Sequence, residues 1–111
     1  MIFFEPTELQ TPGCTVRFTA KDGENALGSC DLLLHDGVAD LVALELVAPD
    51  YSVAEGLLRS ALNYAANRGL YLAVFSLANA DDVRALLPFE QKDGVWCGDI
   101  PTLLAGSCGK N

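Results

Sequence analysis

The sequence predicts an α+β fold: an antiparallel meander leading into a parallel central strand pair, with helices on the sheet faces. Three observations predict it. Cys14 to Ala20 alternates apolar and polar residues, and two hairpin turns follow it. Val38 to Gly69 reads as strand, turn and helix. Leu70 onward reads as a second αβ unit beside the first. The element order is β-β-β-α-β-α-β, and strands followed by αβ units indicate sheet-and-helix layers. With 111 residues, half of them hydrophobic, residues 1–111 are one domain with a core that needs no staples.

Ile2-Phe3-Phe4 is a short apolar run ended by Glu5-Pro6, so residues 1–13 form an N-terminal lip or edge strand. Pro12-Gly13 signals a turn. In the next strand Cys14, Val16, Phe18 and Ala20 share one face, and Thr15, Arg17 and Thr19 the other. Lys21 to Asn25 is a hairpin turn. Ala26 to His35 is the return strand, and Asp36-Gly37 is the second hairpin signal. Val38 to Val47 is apolar on both faces, as expected of a strand inside a helix-covered sheet.

Ser52-Val53-Ala54-Glu55 has the form of a capping box, with Ser at the N-cap and Glu three residues later. Val53, Leu57, Ala61, Tyr64 and Ala65 then mark one helical face. Gly69 suits the position after the helix. Leu70 to Leu77 is a compact strand, parallel to Val38–Val47 because a helix separates the two. Asn79 is expected to cap a short second helix that Pro88 stops. Asp93-Gly94 is a turn, Val95 to Ile100 a last strand, and Pro101 to Ala105 one helical turn. Residues 106–111 read as a flexible tail.

The formal charge of −8 and the lack of a basic cluster exclude nucleic acid and anionic membrane as partners. No apolar run approaches the roughly 20 residues of a membrane span. The N-terminus carries no basic-then-apolar leader pattern. Cys14, Cys30, Cys97 and Cys108 form no C-x-x-C pair, and His35 is the single histidine. No metal site is expected from such spacing. The cysteines read as reduced structural thiols, which points to a cytoplasmic protein.

Leu44-Glu45-Leu46-Val47-Ala48-Pro49-Asp50-Tyr51 resembles the fourth strand and V-x-P-x-Y continuation of the GCN5-related N-acetyltransferase (GNAT) superfamily. Leu57-Leu58, Ala65 and Gly69 follow at the spacing of that family's helix. Asn79 to Phe89 resembles its N-x-x-A…L-G-F element, with Leu87-Pro88-Phe89 for Leu-Gly-Phe. The likeness covers roughly residues 14 to 100. It implies acetyl-CoA as cofactor and a small-molecule or peptide amine as acceptor. It also implies cofactor contacts at Leu46, Val47, Ser52, Val53, Ala54, Glu55 and Gly56. In the family, backbone N–H groups at the helix start hold a pyrophosphate. Here no basic residue lies between Val38 and Leu58, and an ordinary capped helix competes with a cofactor loop.

Glu45 is the one acid in the second half of the central strand. The resemblance implies a catalytic role as general base, which needs a carboxylate near the amine with its pKa raised by burial. The competing reading has Glu45 facing solvent where the strands splay. The family's thiolate-protonating tyrosine would fall near Arg84, so Tyr51 and Tyr71 are the nearest residues of that type. His35 reads as a lone turn residue, and Cys30 as a thiol without a base. Two functions follow. One is an acyl-CoA-dependent N-acyltransferase; the other is a non-catalytic binding or dimerisation module on the same scaffold. A homodimer suits both, since exposed strand edges and apolar faces call for cover.

Overall fold

The computed structural model describes residues 1–9 and 14–106. The Pro12-Gly13 turn, Cys108 and the tail from residue 107 lie outside them. Seven strands and three helices follow in order: β1 (Ile2–Glu8), β2 (Cys14–Asp22), β3 (Asn25–His35), β4 (Val38–Leu46), α1 (Tyr51–Asn67), β5 (Leu72–Phe75), α2 (Asp81–Arg84), β6 (Glu90–Lys92), β7 (Val95–Asp99) and α3 (Ile100–Gly106). They form one sheet in the order β1-β2-β3-β4-β5-β7-β6. All neighbours are antiparallel except β4 and β5, which run parallel as expected.

The turn residues account for the meander. Asp36 and Gly37 both take positive φ, as do Asp93 and Gly94, which is the mirror-image turn a right-twisted hairpin needs. The second of these turns folds Glu90–Lys92 back on β7 as a short edge strand, β6. β1 continues through Pro6 to Glu8, beyond the expected stop. Proline is tolerated there because β1 is an edge strand, with no neighbour asking for the missing N–H.

Val16, Phe18 and Ala20 on β2, Cys30 and Leu32 on β3, and Ala39 and Leu41 on β4 are all buried. They pair across the strands, so they share one face. α1 lies on that face and buries Val53, Ala54, Leu57, Leu58, Ala61, Leu62 and Ala65 against it. Burying each such leucine contributes on the order of 1.5–3 kcal/mol. The helix ends in a Schellman arrangement. Gly69 has φ +84, its N–H donates to Ala66 O, and Leu70 N–H donates to Ala65 O.

α3 packs on α1 on the same face, with Leu103 against the backbone of Gly98. α2 follows there too, its Arg84 guanidinium stacked 3.7 Å from the centroid of Trp96, which pairs with Phe75. No described helix packs against the opposite face. β4 is therefore not enclosed on both sides, although its sequence is apolar on both. Thr15, Arg17, Thr19, Ser29, Asp31 and Glu45 occupy that open face, and none is fully buried.

Both helix starts differ from expectation. α1 begins at Tyr51, and Asp50, not Ser52, is its N-cap. The Asp50 carboxylate accepts from Ser52 N–H (2.9 Å) and Val53 N–H (3.3 Å). Glu55 does not reach back to the cap; it pairs with Arg59 at 2.9 Å, one turn on. Aspartate and serine are equally good N-caps, and here the earlier residue takes the position. Asn79 does not cap α2 either. It holds φ +57, and Ala80 takes the N-cap position without a side-chain bond.

Candidate functional site

The parallel pairing of β4 and β5 covers four residue pairs, from Val38 with Leu72 to Leu41 with Phe75. Its last rung is Ser76 N–H to Leu41 O at 2.9 Å. β4 continues to Leu46 while β5 has ended, so a cleft opens beside residues 42–46. Val47 N–H donates to Leu27 O at 3.0 Å and so faces β3. Backbone direction alternates along a strand. Leu46 and Leu44 therefore turn their N–H and C=O groups into the cleft.

A β-bulge controls what this stretch presents. Leu32 pairs with Leu41 and Asp31 with Ala43, so Val42 is an extra residue on β4. Simple alternation from the buried Leu41 would aim Ala43 and Glu45 into the core. The bulge reverses the phase and puts both on the open face. Glu45 thus stands beside Ser29, its cross-strand partner.

Two adjoining hollows on the open face share Arg17, Ser29 and Glu45. One, of about 650 Å³, is also lined by Thr19, Gly28, Leu46 and Val47. The other, of about 390 Å³, is also lined by Asp31, Leu44 and Leu77, and so reaches across the cleft to the chain after β5. Gly28 permits a close approach of β3 to β4 here: a Cβ there would lie 2.6 Å from the Glu45 carbonyl oxygen. Arg17 donates to both oxygens of Asp31, at 2.7 and 3.0 Å. That hydrogen-bonded pairing holds the guanidinium above its ordinary pKa. Asp31 thereby offsets the charge of Arg17, and Glu45, which makes no ion pair with any described residue, is the remaining charge lining the two hollows.

The residues expected at the cofactor loop divide into three groups. Leu46 and Val47 line the larger hollow, and Val47 is 75% exposed. Val53 and Ala54 point into the core, so only their backbone could meet a ligand. Gly56 is not open to a ligand through its α-carbon face. A Cβ there would strike the Phe4 ring, at 2.7 Å from one ring carbon and closer still to the ring tip. The glycine lets α1 approach β1. Ser52 is exposed, but its N–H is bound to Asp50, and Glu55 is bound to Arg59. Glu45 is exposed rather than buried, as the competing sequence reading had it.

The start of α1 does not fit a pyrophosphate. A helix N-terminus binds anions through free N–H groups. Two of these are already occupied by the chain's own carboxylate. The Tyr51 hydroxyl donates to Asp82 at 2.6 Å, which ties the start of α1 to that of α2. The same bond, with the Val83 N–H, holds Asp82 below the usual carboxylate range and raises the Tyr51 phenol.

Other clusters do not carry chemistry. His35 is not isolated: its Nε2 lies 3.6 Å from Asp40, whose other oxygen accepts from the Ser76 hydroxyl at 2.6 Å. The acid stands between serine and histidine, so the histidine cannot take the serine proton. Cys30 is buried, and desolvation pushes its thiol up to about 12, which removes it as a nucleophile. No group of three metal-binding side chains occurs among the described residues. No described helix is long and apolar enough to cross a membrane.

No family model matches the chain, and no curated protein matches it in sequence. Solved structures do match in shape. The PaiA N-acetyltransferase from Thermoplasma acidophilum, in complex with coenzyme A, superposes with a TM-score of 0.59 at 14% identity. The match covers 75% of this chain and 58% of that one. The fold is that of the GNAT acetyltransferases. An IAA acetyltransferase from Bacillus cereus gives a TM-score of 0.61 at 14% identity, over 89% of this chain and 95% of that one. The chain thus spans little more than half of the Thermoplasma protein and nearly all of the Bacillus one. In GNAT terms, β4, α1 and β5 are the central strand–helix–strand unit, and the cleft lies at its open end.

Proposed function

We propose that the chain is an N-acyltransferase that moves an acyl group from a thioester to an amine at the open end of β4. The observation that carries this reading is the cleft itself. A strand edge with free backbone groups at Leu44 and Leu46 adjoins a hollow that holds the carboxylate of Glu45. A donor with an extended amide arm adds to such an edge as a short strand. The acceptor comes from the open face.

The chemistry requires little else. The amine nitrogen attacks the acyl carbonyl carbon, the C–N bond forms, and the C–S bond breaks. Glu45, directly or through one water, accepts the proton that the nitrogen sheds. The sulfur leaves as thiolate, which is tolerable without an acid because a free thiol has a pKa of about 8.5. Acetyl-CoA, the cofactor implied by the family likeness, is one donor of this class.

Release of thiol from an acetyl thioester in the presence of a panel of primary amines tests the reading. Glu45→Gln should lower the amine-dependent rate by about 10²-fold or more, the usual range for loss of a general base. Equal rates in the two proteins would remove Glu45 from the chemistry. One observation favours a second reading, a non-catalytic GNAT-fold binding or dimerisation module. Asp50 occupies the helix start that a phosphorylated donor would need. A melting temperature unmoved by any acyl thioester, together with no thiol release, would favour that module.

A further inference from the structure

We propose that this chain grips its acyl donor through the uncharged amide arm alone and leaves the donor's phosphates in solvent. The proposal rests on the acyl-transfer reading and specifies its donor class: a thioester recognised without its phosphates.

Four observations converge on it. Ser52 N–H and Val53 N–H both donate to one oxygen of Asp50, and Ala54 N–H donates to the Asp50 carbonyl at 3.0 Å. A donor phosphate would have to displace a covalently tethered carboxylate from its own helix. Next, the stretch from Val38 to Leu58 contains no lysine or arginine. The arginines beyond it are committed elsewhere. Arg59 is held by Glu55 at 2.9 Å and by the Leu104 carbonyl at 2.8 Å. Arg84 lies over the Trp96 ring, with Asp81 at 3.9 Å. Third, the side chain of Tyr51, the first residue of α1, ends on another carboxylate, Asp82, at 2.6 Å. Last, the net charge of −8 disfavours a polyanion at any approach. Against these stands one favourable surface, the backbone edge of Leu44 and Leu46, which recognises amides and is indifferent to charge.

Isothermal titration of the full chain separates the possibilities. The probes are acetyl-CoA and acetylpantetheine, which share the thioester and amide arm but differ in phosphates. The wild type should bind acetylpantetheine as tightly as acetyl-CoA or up to about fivefold tighter, and any gap should close as salt screens the charge. Asp50→Asn keeps a capping oxygen and removes the charge. In that variant acetyl-CoA should bind about two- to fivefold tighter and acetylpantetheine should not change. Thermal melting of the variant checks that α1 is intact. Wild-type preference for acetyl-CoA by about tenfold, weakening with salt, would overturn the proposal and leave acyl transfer standing. Binding of neither probe would overturn both.

Discussion

Gly56 offers the sharpest separation between a cofactor-loop glycine and a packing glycine. Alanine at an ordinary helix interior is better than glycine by about 0.5–1 kcal/mol. At position 56, however, the new methyl would enter the space of the Phe4 ring, 2.7 Å from one ring carbon. Overpacking of this kind costs about 1–3 kcal/mol. The net for Gly56→Ala is thus a destabilisation of about 0–2 kcal/mol, toward the lower end if the Phe4 ring swings outward. In a Phe4→Ala background the clash is absent, and the same substitution should stabilise by about 0.5–1 kcal/mol. The sign reverses between backgrounds, with a coupling energy of about 1–3 kcal/mol. Urea unfolding of the four proteins of this double-mutant cycle reads it directly. If Gly56→Ala stabilises equally with and without Phe4, the packing account of this glycine is wrong.

Three further outcomes follow from the helix start and the buried thiol. Asp50→Ala should lower stability by about 0.5–2 kcal/mol, and Asp50→Asn by much less, in the same urea assay. Tyr51→Phe should destabilise only between two pH limits. Asp82 has a folded pKa below its unfolded value, so its share is present above about pH 3.9 and fades as pH falls through the folded pKa. Tyr51 has a folded pKa above its unfolded value, so its share is present below about pH 10 and fades as pH rises beyond. A wild-type advantage over Tyr51→Phe that persists at both extremes would show that the bond is not its source. Cys30 should resist alkylation at pH 8 in the folded protein and react once urea unfolds it, as read by mass spectrometry.

Most of the scaffold was legible in the sequence because it rests on local signals. Asp36-Gly37 and Asp93-Gly94 announce their turns by residue type, and Gly69 announces the end of α1. The parallel β4–β5 pair follows from chain connectivity alone. The helix start is ambiguous in the sequence because Asp50 and Ser52 are both strong caps two residues apart, and only the backbone chooses between them. The candidate site was less legible for a different reason. Glu45 reaches the open face only through the extra residue Val42, and no alternation pattern reveals a bulge. The Arg17–Asp31 pair, the Tyr51–Asp82 bond and the close approach at Gly28 all depend on register between distant strands or loops. The sequence held their residue types but not their proximity. Gly56 shows the same limit from the other side. Its place on the helix was evident, but the ring that explains it comes from residue 4.

The central claim is that the cleft beside the end of β4 receives an acyl thioester. Amide chemical-shift mapping of the labelled protein during titration with acetylpantetheine tests it most directly. The Leu44, Leu46 and Val47 amides should move first and saturate together, with Ser29 following across the hollow, while Ser52 and Val53 stay on Asp50. A protein whose Leu44 and Leu46 amides remain still at saturating thioester, or whose shifts gather on another face, would contradict the account.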